Sequence, residues 1–299
     1  MESITQNILL EDAGVTLSIR REDLLHPYIS GNKFRKLKYN LIKAQAENAE
    51  TLLTFGGAFS NHIVAVAAAA AENGLRSIGI IRGDEIKSHT TLNPTLSLAR
   101  KFGMELVFVS REEYRMKSAE SFVCQLNSSF GDFYLIPEGG TNGLAVKGCE
   151  EILTDRDTEF NYICCAVGTG GTLSGIINSS TDRQTVLGFP VLNANLESDV
   201  SKFAKKDNWK LINDYHIGGY AKISAELITF INDFNTRYSI PLDPVYTGKL
   251  LFGVMDMIAN GYFVRGSKVL AIHTGGLQGI QGMNNKLRNK NLPLIESHD

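Results

Sequence analysis

Glycine pairs that directly follow apolar runs are the feature that most restricts how this chain of 299 residues can fold. Four of the five Gly-Gly pairs stand in such places: Gly56-Gly57 after TLLTF, Gly139-Gly140 after FYLIPE, Gly170-Gly171 after YICCAVGT, and Gly275-Gly276 after KVLAIHT. In open α/β sheets, ligands bind at the carboxyl ends of the strands, where glycine lets the backbone approach them closely. Each pair alone could make only a tight turn, but the four together predict loops around one shared cleft.

Short apolar runs alternate with helical patterns along nearly the whole chain. The predicted strands are Val15–Arg20, Thr51–Phe55, Ser77–Arg82, Glu105–Val109, Phe133–Ile136, Tyr162–Val167, Thr185–Phe189 and Lys268–His273. The predicted helices include Lys33–Asn48, Asn61–Asn73, Leu92–Phe102, Ser224–Tyr238 and Lys249–Asn260. A repeated order of strand and helix is typical of parallel sheets, so the sequence predicts an α/β protein.

The composition excludes several classes of protein. Apolar residues make up 43% of the chain, and the longest apolar run, Ile63–Ala71, is much shorter than the roughly 18 residues that a membrane-spanning helix needs. The 30 basic and 32 acidic residues give a net charge of -2, which provides no electrostatic footprint for nucleic acid. The N-terminal residues lack the pattern of a secretory signal. We therefore expect a cytoplasmic protein whose partners are small molecules.

The chain has four cysteines, Cys124, Cys149, Cys164 and Cys165. None of them form a C-x-x-C pair, and alternation along a strand would send the adjacent Cys164 and Cys165 to opposite faces. The pattern predicts four reduced thiols, without a disulfide framework or a metal site.

A loop rich in glycine and threonine follows the predicted strand Tyr162–Val167, within the sequence VGTGGTLSGI. Its backbone N–H groups and the start of the next helix would face one anion, and its hydroxyls would add donors. The loop lacks the lysine of the P-loop, and its spacing departs from the G-x-G-x-x-G pattern of dinucleotide-binding proteins. It therefore predicts a site for the phosphate of another phosphorylated cofactor.

Four basic residues lie within six positions of the segment SGNKFRKLKY. Such a cluster is most often the solvated face of a helix. Lys33 differs from the others because it stands at the predicted helix start, behind a Gly-Asn turn, where the helix dipole disfavours an ammonium group. This lysine is a candidate amine nucleophile.

Further polar groups stand at predicted turns. Ser60 and Asn61 could cap the alanine-rich helix that follows them, or the start of that helix could bind a substrate carboxylate. The segments DPVYTGK, AIHTGG and GGY bring additional hydroxyls to turns bounded by glycine. Each segment alone is more typical of structure than of chemistry.

Six motifs, taken in order, resemble the pyridoxal-phosphate enzymes of the D-cysteine desulfhydrase and 1-aminocyclopropane-1-carboxylate deaminase family. They are G-N-K-x-R-K-L, G-G-x-x-S-N-H, I-P-x-G-G-[ST]-N, G-T-G-G-T, D-P-V-Y-[ET]-G-K and H-[TL]-G-G, between about Arg21 and Gly276. The resemblance implies fold type II, the tryptophan synthase β type, with two open parallel-sheet lobes, the cofactor between them and usually a homodimer. We expect residues 1–45 and 136–299 to form the large cofactor-binding domain and residues 46–135 the small inserted domain.

The resemblance also implies how the cofactor, pyridoxal 5'-phosphate, would be held. Lys33 would form the Schiff base with the cofactor aldehyde, and after its release it would be the base for proton transfer at the α-carbon. Asn61 would bond the ring hydroxyl. The expected phosphate-binding residues are Thr169, Gly170, Gly171 and Thr172.

The same resemblance places the substrate. Ser60 and the amides of Asn61 and His62 would hold the substrate carboxylate, while Tyr246 and Tyr220 would stand over the reacting amino acid. The sequence departs from the family pattern where Phe59 replaces a common glutamine and Val64 a common arginine. These departures concern the substrate rather than the cofactor.

Two positions near the cofactor ring nitrogen divide the family. Members that open the cyclopropane ring resemble each other in having Glu at the position of Thr247 and Leu at the position of Thr274. Two threonines offer only neutral hydrogen bonds, and the resulting weaker electron sink suffices for β-elimination of a thiolate. We therefore expect a D-cysteine desulfhydrase-like lyase that yields pyruvate, ammonia and sulfide.

Other functions stay open at this point. The first alternative is a 1-aminocyclopropane-1-carboxylate deaminase, which opens the ring to give 2-oxobutyrate and ammonia. Weaker alternatives are a nucleotide-binding or NAD-dependent protein, which the glycine spacing disfavours, and a pyridoxal-phosphate-binding protein without turnover.

Overall fold

The computed structural model describes residues 2–10, 14–87 and 93–296. Its strands are β1 (Thr5–Ile8), β2 (Thr16–Arg21), β3 (Thr51–Gly56), β4 (Arg76–Arg82), β5 (Glu105–Val109), β6 (Tyr134–Ile136), β7 (Tyr162–Val167), β8 (Thr185–Pro190), β9 (Trp209–Leu211) and β10 (Lys268–His273). Its α-helices are α1 (Asn32–Ala46), α2 (Asn61–Glu72), α3 (Pro94–Lys101), α4 (Arg111–Arg115), α5 (Glu120–Phe130), α6 (Gly143–Cys149), α7 (Gly171–Ser179), α8 (Glu197–Ser201), α9 (Ala225–Tyr238), α10 (Thr247–Ala259) and α11 (Gly279–Arg288).

Within the described residues the strands form two sheets. The larger sheet has the order β1-β2-β10-β7-β8-β9, and the smaller has the order β5-β4-β3-β6. Strand β1 pairs with β2 in the antiparallel direction, and the other pairings are parallel. The predicted α/β fold with parallel sheets is confirmed, and each of the eight predicted strands has a counterpart that differs by at most one residue at either end.

Helices cover both faces of the larger sheet, which is the usual arrangement for parallel strands. Cys164 packs in one core cluster with Leu251 and Val254 of α10, whereas Cys165 packs in another with Leu173 and Ile176 of α7. The two adjacent cysteines therefore face opposite sides of β7, as the sequence predicts. All four cysteines are free thiols.

The smaller sheet packs against α2, whose alanines are completely buried from Ala65 to Ala70. Small side chains suit this position because they let the helix lie close to both the sheet and α3. Strand β6 pairs with β3 and ends at Ile136, next to the predicted boundary at 135/136. The assignment of 46–135 as a separate inserted domain stays a prediction.

The predicted helices are also present, with ends that differ by up to two residues where the structure describes them. The predicted helix start at Leu92 lies outside the described residues. In the part of the chain that is described, no helix has the length and hydropathy to cross a membrane. In the same part, no cluster of His, Cys, Asp and Glu side chains could hold a metal ion. A cytoplasmic location stays a prediction.

The beginning of α1 lies directly against the loop after β10. The amide of Asn32 donates to the carbonyl of Thr274, at 3.2 Å. Gly31 has a φ of +62°, and any Cβ there would overlap the Thr274 carbonyl. Only glycine meets both conditions, so Gly31 lets α1 begin at the carboxyl end of the larger sheet.

Candidate active site

A cavity of about 590 Å³, including its open mouth, lies at the carboxyl ends of the strands. The cavity is lined by Ser30, Asn32, Lys33, Lys36, Asn61, Gly139, Ala166, Val167, Gly168, Thr169, Gly170, Thr172, Leu173, Tyr246, Thr274, Gly275 and Gly276. Three of the four glycine pairs that follow strands contribute to this lining, and the turn after the fourth pair contributes Asn61. The predicted shared cleft is present.

Lys33 is the second residue of α1 and is joined to the glycine-rich loop through its neighbour Asn32. The Lys33 ammonium donates to Asn32 Oδ1 at 3.2 Å, and Asn32 Nδ2 donates to Thr172 Oγ1 at 2.8 Å. Burial, together with the nearby charge of Lys36, lowers the pKa of Lys33 to about 7. A large share of this amine is therefore neutral, and hence nucleophilic, near neutral pH.

The loop after β7 has the features of an anion site. Helix α7 begins at Gly171, and the first amides of a helix have no acceptor within it. Next to this helix start, Thr169 Oγ1 lies 2.6 Å from Thr141 Oγ1, which in turn accepts a bond of 2.9 Å from Lys36 Nζ. The helix start, two threonines and a lysine thus surround the same end of the cavity. Positive charge and free donors at one point suit a phosphate group.

Lys36 is a site residue that the sequence analysis missed. Its side chain is only 2% exposed, and its ammonium also donates to Gly139 O at 3.0 Å. The interpretation of the basic cluster as a solvated face is wrong for Lys36 and for Arg35, which is buried against Glu22. It is correct for the exposed Lys38. The spacing of three residues from Lys33 was the available signal, because such residues share one face of a helix.

Ser60 and Asn61, at the turn before α2, lie beside or in the lining of the cavity, whereas the side chain of His62 is bonded inside the protein. Ser60 is the N-cap residue, yet within the described chain its hydroxyl caps no amide of α2, and Asn61 lines the cavity. His62 is buried, and its Nε2 donates to Thr54 Oγ1 at 2.7 Å because the Thr54 proton goes to a backbone carbonyl. Burial, followed by the charges of Lys33 and Lys36, lowers the pKa of His62 well below its usual value. Its imidazole is thus a neutral structural group.

Two tyrosines meet at the mouth of the cavity. Tyr246 lines the wall over Gly168, and the ring centroid of Tyr220 lies 6.4 Å away at an angle of 72°. Tyr220 is 47% exposed and lies outside the lining. Burial, followed by the neighbouring Tyr220, raises the pKa of Tyr246 well above its usual value. Tyr246 therefore remains a protonated hydroxyl donor.

The two threonines that were expected near the cofactor ring occupy different environments. Thr274 lines the cavity, whereas Thr247 is fully buried behind it and bonded to Asp243. Gly171 also lies behind the lining, where a Cβ would come within 2.7 Å of the Thr141 side chain. Of the residues named from the sequence, the cavity brings together Lys33, Asn61, Thr169, Gly170, Thr172, Tyr246 and Thr274. Ser60, His62, Gly171, Tyr220 and Thr247 stand next to the lining rather than in it.

These residues fit a ligand that carries both an aldehyde and a phosphate. The amine of Lys33 can form a covalent bond with the aldehyde, and the start of α7 with Lys36 can neutralise the phosphate. The amine and the anion site line the same cavity, as a single ligand that carries both groups requires.

Comparison with known proteins gives a consistent result. A family model described as "Pyridoxal-phosphate dependent enzyme" matches residues 4–275. A Pyrococcus horikoshii protein named "Putative 1-aminocyclopropane-1-carboxylate deaminase" is 32% identical, over 92% of this chain and 89% of its own length. An Arabidopsis thaliana protein, named a bifunctional D-cysteine desulfhydrase/1-aminocyclopropane-1-carboxylate deaminase, mitochondrial, is 30% identical over 89% of this chain and 74% of its own length. A crystal structure of an "ACC deaminase homologue" is similar with a TM-score of 0.84 and 31% identity, over 97% of this chain and 94% of that one.

Proposed function

Because this chain belongs to the family of pyridoxal-phosphate-dependent enzymes, we propose that it is a lyase that acts on a small amino acid in the cavity around Lys33. Its fold is fold type II and its cofactor is pyridoxal 5'-phosphate. The observation that carries the proposal is the juxtaposition of an amine of pKa about 7 with an anion site, in one cavity. When bound, the cofactor supplies an electron sink for negative charge at the substrate α-carbon.

We assign the cofactor contacts to residues of the lining and of the start of α7. Lys33 would form the covalent link, and Asn61 would bond the ring hydroxyl. The phosphate would lie at the start of α7, against the backbone of Gly170 and Gly171 and the hydroxyls of Thr169 and Thr172. Lys36, which donates to Thr141 next to this helix start, would neutralise part of the phosphate charge.

The remaining residues would hold the substrate and move its protons. Ser60 and the first amides of α2 would bind the carboxylate, which suits the uncapped helix start. Lys33 Nζ, once free of the cofactor, would take the proton from the α-carbon. The hydroxyls of Tyr246 and Tyr220 would each donate a hydrogen bond to the reacting group of the substrate.

Two reactions are candidates for the activity of this enzyme, and each is favoured by a different observation. The lining includes no carboxylate among the described residues, and its hydroxyl at Thr274 offers only a neutral bond, which supports β-elimination from a substrate such as D-cysteine. The names of the relatives favour the second candidate, ring opening of 1-aminocyclopropane-1-carboxylate, more than they favour the first. The Arabidopsis relative is named for both activities.

A substrate panel tests the proposal. D-cysteine, L-cysteine and 1-aminocyclopropane-1-carboxylate are supplied to the loaded enzyme, and sulfide, pyruvate and 2-oxobutyrate are measured, with the Lys33→Ala variant as the blank. We expect D-cysteine to give pyruvate and sulfide with the largest kcat/KM. If 2-oxobutyrate forms faster than pyruvate, the second candidate is the activity, and a protein that releases neither product is not a lyase of this class.

A further inference from the structure

Lys249 of α10 carries a buried charge that has no acidic partner. The side chain is 1% exposed, and in the described part of the chain no carboxylate lies within ion-pair distance of its ammonium. Instead, Nζ donates to His216 O at 2.8 Å and Gly219 O at 2.7 Å, and lies 3.5 Å from Val191 O. Burial lowers the pKa of Lys249 to about 8, against the opposing charge of Asp243. A buried ammonium that is bound only to carbonyls has a desolvation cost in free energy, and this cost indicates that Lys249 has a role in the fold or the site.

The two shorter bonds both end on one unusual loop, residues 216–221. Ile217, Gly218, Gly219 and Ala221 have φ values of +52°, +78°, +118° and +54°. The left-handed region is unfavourable for isoleucine and alanine, so this conformation needs support from its surroundings. Within the loop, the amide of Gly219 bonds His216 O, and the amide of Gly218 bonds His216 Nδ1. These bonds are local, whereas those from Lys249 tie the loop to α10.

Tyr220 lies inside this loop, between the two residues with strained φ values. Tyr246 directly precedes α10, and Lys249 is in the first turn of the same helix. The element that presents Tyr246 to the cavity therefore also fastens the loop that carries Tyr220. Residues 246–249 therefore contact both the cavity and the loop that carries Tyr220.

We propose that Lys249 is a positioning residue, which holds the loop of residues 216–221 so that Tyr220 stands beside Tyr246 at the mouth of the cavity. The inference rests on the proposed function only in giving the two tyrosines a role toward the substrate. The loop is held by the two carbonyl contacts at His216 and Gly219. Lys249 itself touches neither substrate nor cofactor.

The test combines backbone exchange with a double-mutant cycle in the cofactor-loaded enzyme. Lys249→Met removes the ammonium and keeps an unbranched side chain as far as the ε position. We expect the amides of residues 216–222 to exchange with deuterium at least about tenfold faster, while those of α9 are unchanged. Lys222→Met, which removes an exposed lysine next to the loop, is the matched control and leaves exchange and kcat unchanged. Unchanged exchange in Lys249→Met would overturn the proposal.

The double-mutant cycle tests whether Lys249 affects turnover through Tyr220. We expect Tyr220→Phe to lower kcat by about 10²-fold and Lys249→Met to lower kcat more than it changes KM. If Lys249 acts through Tyr220, the kcat of the double variant lies within about twofold of the kcat of Tyr220→Phe. Additive losses in kcat would overturn that connection. Should Lys249→Met not fold, Lys249→Gln keeps amide donors without the charge and enters the same cycle.

Failure of the proposed function gives a different result. If Tyr220→Phe leaves kcat unchanged, the catalytic role assigned to Tyr220 is wrong. The exchange rates of the amides of residues 216–222 then decide the role of Lys249 alone, since they do not depend on turnover.

Discussion

The hydroxyl of Thr247 donates to Oδ1 of Asp243 at 2.8 Å and accepts the Asp243 amide at 2.9 Å. The Asp243 carboxylate also accepts the backbone amides of Val245, Tyr246 and Thr247, at 2.9, 3.0 and 2.8 Å. The proton of Thr247 is therefore committed to Asp243, and only a lone pair is left for any other partner. Thr274 is not bound in this way, and it lines the cavity. The two threonines that the sequence suggested as equivalents thus differ in what they can offer a ring nitrogen.

The covalent attachment of the cofactor gives the first prediction. Lys33→Ala removes the amine that faces the anion site. We therefore expect loss of the visible absorption band of the imine between lysine and cofactor, and of any covalent link. Borohydride reduction of the parent enzyme, followed by peptide mapping, should place the label on Lys33. Lys38→Ala, a substitution on the exposed face of the same helix, should keep both the band and the label. A label on any other lysine contradicts the assignment.

Lys36 gives the second prediction, which concerns affinity for the cofactor. Lys36→Met removes a buried cation beside Thr141 at the phosphate end of the cavity. A hydrogen bond to a charged group contributes roughly 1.5 to 3 kcal/mol, so the Kd for pyridoxal 5'-phosphate should rise by about 10- to 10²-fold. Titration of the apoenzyme, followed by absorbance, measures this change. Lys38→Met should bind the cofactor like the parent, and equal affinity in both variants would show that Lys36 does not face the phosphate.

The pKa of Lys33 gives the third prediction. The neutral amine is the attacking form, so the rate of covalent attachment should rise about tenfold per pH unit below the pKa and level off above about pH 7. Rapid mixing of apoenzyme with the cofactor over a range of pH measures this midpoint. Because the charge of Lys36 helps to lower the pKa of Lys33, the midpoint should move upward in Lys36→Met. A midpoint that stays near the ordinary value for lysine in the parent would contradict the burial of this amine.

The fold was predictable where local pattern and burial agree. Strands such as β7 and β10 are buried on both faces and appear in the sequence as continuous apolar runs. The short edge strands β1 and β9 were missed because they have four and three residues, with little buried surface to impose a pattern. Helix α11, which follows the last predicted strand, is not among the predicted helices although its pattern is amphipathic. In the structure it contacts α3.

The site was predictable only in part, for a related reason. Parallel topology brings the carboxyl ends of strands together, so loops after β7 and β10 could be assigned to one cleft from sequence. The roles of Lys36, Asp243 and Lys249 depend on neighbours more than 20 residues away or on a buried turn. The spacing from Lys33 indicated only the helix face on which Lys36 lies, and no local spacing indicated the roles of Asp243 and Lys249. For the same reason the sequence did not show that Thr247 is turned toward Asp243 rather than into the cavity.

Substrate choice gives the last prediction, which follows from the environments of Thr247 and Thr274. We expect the parent enzyme to prefer β-elimination from D-cysteine, and Thr247→Glu combined with Thr274→Leu to shift the ratio of kcat/KM toward ring opening by about tenfold or more. Glu at 247 would add a carboxylate that favours the charged form of the ring nitrogen, and Leu at 274 would remove the hydroxyl in the lining and make the site drier. A better electron sink helps ring opening more than it helps the loss of a thiolate. In this variant Asp243 keeps its three amide donors but loses its two bonds with the Thr247 hydroxyl, so the stability of the turn before α10 has to be measured. Thermal unfolding of the variant checks this point, and kcat/KM for both substrates measures the shift. A parent that already prefers the cyclopropane substrate would show that these two threonines do not decide the reaction, and that the names of the relatives were the better guide to it.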